Sequence, residues 1–74
     1  MTAPEPDRRI AHLLREARGR AGLTQAALAD LAGIAQPNVS AYESGRRSPT
    51  VRTLLALLDA CGVELVARPS AVTR

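Results

Sequence analysis

Aromatic rings are nearly absent from this 74-residue sequence: Tyr42 stands alone, with neither Phe nor Trp. Base-stacking platforms, sugar-stacking sites and aromatic cages need such rings, so none is expected. A single cysteine, Cys61, excludes an internal disulfide framework, and with a single histidine, His12, it cannot fill a structural zinc site. Neither a metal nor a cofactor is expected. Lysine is missing altogether, so Arg accounts for all 10 basic residues against 7 acidic ones, giving a net charge of +3. Such a mild basic balance suits a polyanionic partner without requiring one. No apolar run approaches the roughly 18–20 residues of a membrane span. Arg8 and Arg9 lead into no apolar stretch of the secretory kind, so a cytoplasmic, nucleoid-associated bacterial protein is expected. An enzyme has little to stand on: there is no Cys–His pair with an orienting group and no phosphate-cradling glycine loop.

What remains is one small domain's worth of chain, 46% hydrophobic. At this size a fold buries roughly 60% of its unfolded surface. Residues 1–6, with Pro4 and Pro6, read as a flexible lead-in. From Asp7, a plausible N-cap, Ile10, Leu13, Leu14 and Ala17 form one apolar stripe at helical spacing, and Gly22 marks its end. Thr24 caps a second short helix whose buried face is Leu28, Leu31 and Ala32; Gly33 stops it, and Ile34 follows as a buried turn residue. A third helix runs from Gln36 to Ser44, with Pro37 in its first turn and a thin apolar seam of Val39 and Tyr42. Gly45 ends it, and Arg46, Arg47, Ser48 and Pro49 make a basic loop. Thr50 then caps the most hydrophobic helix, Leu54, Leu55, Leu57 and Leu58, the floor of the core, which closes at Gly62. Residues 63–74 begin with the strand-like Val-Glu-Leu-Val-Ala-Arg, closed by Pro69. His12 reads as solvated, Cys61 as a small core residue, and Arg8, Arg9 and Arg52 receive no role.

The informative stretch is Leu23 to Gly45. Two short helices meet across a turn where Gly33 can adopt the left-handed conformation, and Ala29 faces that turn with only a methyl group. Ile34, Val39 and Tyr42 pin the second helix on the first, which are the demands of a helix-turn-helix.

Thr24, Gln25, Leu28, Ala29, Ala32, Gly33, Ile34, Gln36, Val39, Ser40, Glu43, Gly45, Arg47 and Pro49 match a single pattern. Through them residues 8–62 resemble the XRE or Cro/phage-repressor-type helix-turn-helix family. The resemblance implies an all-α, lambda-repressor-like DNA-binding bundle of four to five helices, here occupying residues 7–62 and followed by a short C-terminal strand. It places the third helix in the major groove, with Gln36, Pro37, Asn38, Ser40 and Ala41 reading bases. A Gln can bond adenine bidentately, and Ala41 could touch a thymine methyl. It assigns phosphate contacts to Thr24, Gln25, Ser44, Arg46, Arg47 and Thr50, which fix register rather than sequence. Glu43 is expected to pair with Arg18 as a structural ion pair, away from DNA. Two departures stand out. Ala35 occupies a position where the family has a capping Ser or Thr, losing about 1 kcal/mol, and Ala41 replaces a longer polar residue.

A lone strand at 63–68 leaves backbone groups unpaired, and pairing with the same strand of a second copy would satisfy them. Two recognition helices about 34 Å apart then match one turn of DNA. Such C-terminal strands resemble those of HipB-like antitoxins, which dimerise and hold a toxin. The expected function is a dimeric repressor of a palindromic operator on double-stranded DNA. One alternative is an autoregulating antitoxin with a toxin partner. A second is a protein-interaction module that has lost DNA binding.

Overall fold

The computed structural model describes residues 8–70, so the lead-in 1–6, the Asp7 cap and residues 71–74 lie outside the described residues. Four helices follow one another: α1 (Arg8–Ala21), α2 (Gln25–Ala32), α3 (Gln36–Ser44) and α4 (Val51–Ala60). Their boundaries are written locally. Thr24 Oγ1 accepts the Ala27 N–H at 3.0 Å, and Thr50 Oγ1 accepts that of Thr53 at 3.1 Å, so each threonine satisfies a donor that the helix start leaves open. Ala35 has no oxygen to offer, and α3 begins without a side-chain cap. Gly33 ends α2 at φ 70°, which lets Ile34 N–H reach back to the Ala29 carbonyl at 2.9 Å.

The core is made where the four helices converge. Leu14 and Ala17 of α1, Leu28 and Ala29 of α2, Val39 and Tyr42 of α3, and Leu54, Leu57 and Leu58 of α4 form one buried cluster. Leu14, Leu28, Leu57 and Leu58 are fully buried, each worth about 1.5–3 kcal/mol of transfer free energy. α3 packs on both α1 and α2, so the third helix is braced from two sides.

Four sequence expectations differ from the structure. Leu31, expected on the buried face of α2, is 64% exposed, and Ala29 takes its place inside. α2 is clasped between α3 and α4, and at that close approach a methyl fits where a leucine would wedge the helices apart. Leu55, expected in the floor, is exposed, because the inward stripe of α4 is Leu54, Leu57 and Leu58 at i, i+3, i+4. Ile34 is half-buried against the core rather than buried. The C-terminal strand is also absent. Residues 63–70 form no strand, since no second segment lies alongside to complete a ladder. Val63 packs on the core and its N–H bonds the Leu58 carbonyl at 2.9 Å, while residues 64–70 are exposed. Among the described residues, no helix is long and apolar enough to cross a membrane, and no group of acidic, His or Cys side chains could hold a metal ion.

Candidate nucleic-acid interface

α3 turns its two sides to different tasks. Val39, Tyr42 and Glu43 point inward and are buried. Gln36, Ser40 and Ser44, at four-residue intervals, form a stripe beside that side, with Pro37 next to it. Gln36, Pro37 and Ser44 are exposed, while Ser40 and Asn38 are half-buried. Ala41, expected to touch a base, is only 6% exposed, so its methyl is withdrawn from the surface. The side available for edge-on contact is therefore Gln36, Pro37 and Ser40, with Asn38 at its margin.

The inward side is held by charge. Arg18 reaches Glu43 through two hydrogen bonds, Nε to Oε2 at 2.7 Å and Nη2 to Oε1 at 2.9 Å, while its Nη1 donates to the Leu23 carbonyl at 3.0 Å. Glu43 is 3% exposed. The bond to Glu43 holds the Arg18 guanidinium above its ordinary pKa, with desolvation opposing. The pair expected between these residues is present, and two further groups join it. Gln25 Nε2 donates to Glu43 Oε1 at 3.2 Å, and Arg15 donates from its guanidinium to the Glu43 backbone carbonyl. Arg15 and Arg18 lie at i, i+3 on one face of α1, but no local signal in the sequence joins that face to Glu43.

The phosphate candidates divide by whether their donors are already spent. Gln25 commits one amide proton to Glu43. Ser44 donates its hydroxyl to the Ala41 carbonyl at 3.1 Å, and Thr50 donates to Thr53 Oγ1 at 3.0 Å. Thr24 accepts rather than donates, so its hydroxyl proton stays available. Arg46 and Arg47 turn their backbone N–H groups inward to the Ala41 carbonyl, at 3.0 and 3.3 Å, and expose their side chains. The guanidinium groups are thus the principal uncommitted donors at the foot of α3.

A helix-turn-helix domain family matches residues 9–71. No curated protein matches the sequence significantly. Among solved structures, the restriction-modification controller protein C.AhdI from Aeromonas hydrophila is 33% identical, with a TM-score of 0.73 over 77% of this chain and 86% of its own. A structure described as an XRE-family transcriptional regulator is 36% identical, with a TM-score of 0.64 over 89% of this chain and 78% of its own. HipB in complex with an O2 20-mer shares the fold, with a TM-score of 0.74 over 95% of this chain and 96% of its own, at 24% identity. With the family matched from α1 through the C-terminal segment, the chain belongs to the XRE-type helix-turn-helix family.

Proposed function

We propose that this chain is a DNA-binding transcriptional regulator, a repressor acting as a homodimer on a palindromic operator. The observation that carries the reading is the two-sidedness of α3. Val39, Tyr42 and the Arg18–Glu43 pair lock the helix inward, while Gln36 and Pro37 at its start are exposed and Ser40 beside them is half-exposed. A helix braced in this way can enter the major groove without distortion. Gln36, in its first turn, is placed to bond adenine N6 and N7, a contact worth about 1–3 kcal/mol of discrimination. Arg46, Arg47 and the Thr24 hydroxyl would neutralise or bond phosphates on the flanks, fixing register. With Ala41 withdrawn, direct base contacts are few, and DNA shape carries a correspondingly larger share of the specificity.

The dimer is supported by the C-terminal segment. Leu65 and Val66 are exposed there, and Val51 and Leu55 are exposed on α4. In an antiparallel two-fold pairing centred on Val66, Glu64 stands opposite Arg68 of the second copy, and Leu65 opposite Ala67. The segment is therefore self-complementary in charge, and the ladder would satisfy backbone groups that a single chain leaves open.

The experiment is selection of bound duplexes from a random pool, followed by gel shift on the recovered site at several salt concentrations. The expected outcome is an enriched inverted repeat with half-sites about 10 bp apart. Affinity should fall with salt at a slope near −0.9 per phosphate neutralised. No enrichment, or binding indifferent to salt, overturns the reading.

A further inference from the structure

The recognition helix is short and locally weak. α3 has nine residues, starts without a side-chain cap, and carries no basic residue in its last turn. Its last turn instead holds Glu43, whose negative charge sits at the wrong end of the helix dipole. The cations that this end requires come from another element. Arg15 and Arg18, one turn apart on α1, both reach the single residue Glu43, Arg18 by its carboxylate and Arg15 by its main-chain carbonyl. The Glu43 carbonyl is one of the final four that a helix cannot satisfy internally. Gly45, Arg46 and Arg47 bond the Ala41 and Tyr42 carbonyls, and the Ser44 hydroxyl also bonds Ala41, so Arg15 closes one of the two carbonyls they leave.

We propose that Arg15 is a positioning residue of the DNA interface, acting through the Glu43 carbonyl to hold α3 in the pose that presents Gln36 and Ser40. The proposal rests on the DNA-binding reading for its functional consequence and on the free protein alone for its mechanical part. Arg15 is exposed and lies outside the buried cluster, so its replacement leaves the core intact. Arg18 locks the side chain of Glu43, whereas Arg15 restrains its backbone. Loss of Arg15 therefore loosens the last turn of α3 and lets the helix tilt about its packed side. Direct contact between Arg15 and a phosphate is a different role with a different signature.

The test uses the full chain with Arg15→Ala and Arg15→Lys, read in two ways. In the free protein, amide hydrogen exchange at Gly45, Arg46 and Arg47 should quicken in Arg15→Ala by about threefold to tenfold, the equivalent of one net hydrogen bond. Exchange within α2 and α4 should stay unchanged. Lysine, which can still donate to one carbonyl, should recover most of the protection. On DNA selected by the wild type, Arg15→Ala should bind the preferred site about threefold to tenfold more weakly and discriminate less at the bases read by α3. The salt slope should not change. A slope shallower by about 0.9 with base preference intact would make Arg15 a phosphate contact and overturn the proposal. Unaltered exchange at Gly45, Arg46 and Arg47 overturns it as well. Failure of the wild type to select any DNA sinks the DNA-binding reading instead, and the exchange measurement still decides whether Arg15 holds α3.

Discussion

Arg18 and Glu43 lie 25 residues apart in the chain, yet they meet side by side, Nε on one carboxylate oxygen at 2.7 Å and Nη2 on the other at 2.9 Å. The carboxylate is buried and the guanidinium half-buried, so the two partners are not equivalent. Removing the cation strands a desolvated anion with only the Gln25 amide as a donor, whereas neutralising the anion leaves an arginine that can still reach water and the Leu23 carbonyl. Arg18→Met should therefore destabilise the fold by about 3 kcal/mol, and Glu43→Gln by distinctly less. Urea unfolding of both variants and the double variant reads the difference. Equal losses would mean that burial does not govern the pair.

Ala35 offers the opposite kind of test. Its backbone, at φ −65° and ψ 136°, already has the extended conformation of an N-cap, and only the side-chain oxygen is lacking. Ala35→Ser should stabilise the domain by about 0.5–1 kcal/mol, raising the thermal midpoint by a few degrees. A midpoint that does not rise would mean that the Ser hydroxyl fails to reach the open N–H groups of the first turn of α3.

The Ala35 case marks what the sequence carried openly. Thr24, Gly33, Gly45 and Thr50 announce the helix ends because caps and left-handed turns are local events, fixed by residues within four positions of one another. The Arg18–Glu43 contact was legible only through the resemblance to a family, since nothing in spacing joins residues on α1 and α3. Leu31, Leu55 and Ala41 were misplaced for a shared reason. Periodicity shows that a helix has an apolar side, but the neighbours decide which residue meets them, and close packing of α2 and α3 admits Ala29 and Ala41 where leucine was expected inside or a base contact outside. The commitments of Gln25, Ser44 and Thr50 were invisible for a related reason. Which partner takes a side-chain donor depends on which carbonyls and carboxylates the fold brings within about 3 Å.

Cys61 gives a prediction in pH. Burial pushes its thiol above the ordinary value, Glu43 adds to the rise, and Arg18 works against it. A group with a raised native pKa binds more protons folded than unfolded, so its contribution is complete below the unfolded value and is lost as pH climbs through the native one. The wild type should thus lose stability above about pH 9 more steeply than Cys61→Ala. Melts between neutral pH and pH 10.5 compare the two, and identical slopes would show that the thiol is not insulated. Alkylation near pH 8 should likewise be slower in the folded protein than in urea.

The self-pairing of residues 63–68 has a charge-reversal signature. Glu64→Arg alone and Arg68→Glu alone each place like charges across the dyad and should weaken the dimer. The double variant restores opposite charges in reversed order and should dimerise like the wild type. Sedimentation at matched concentrations reads all four proteins. Loss in the double variant as well would rule out the register centred on Val66, and a dimer indifferent to every change would place the interface elsewhere, with α4 and its exposed Val51 and Leu55 next to be examined.

Gln36 and Arg47 should separate base reading from phosphate anchoring. Gln36 is exposed on the first turn of α3 and carries no net charge, so Gln36→Ala should lower affinity for the selected site by roughly tenfold and relax preference at one base pair. It should leave binding to unrelated DNA and the salt slope unchanged. Arg47 lies beyond the helix end with its side chain in solvent, where a guanidinium can meet a phosphate of any sequence. Arg47→Ala should weaken every duplex alike and reduce the salt slope by about 0.9. Competition binding against the selected site, single-base variants and random duplex at several salt concentrations supplies both quantities. If Gln36→Ala weakened all sequences uniformly, its amide would be an anchor rather than a reader. If Arg47→Ala altered base preference without changing the slope, the loop would itself enter a groove, and the division of labour between α3 and the residues after it would have to be redrawn.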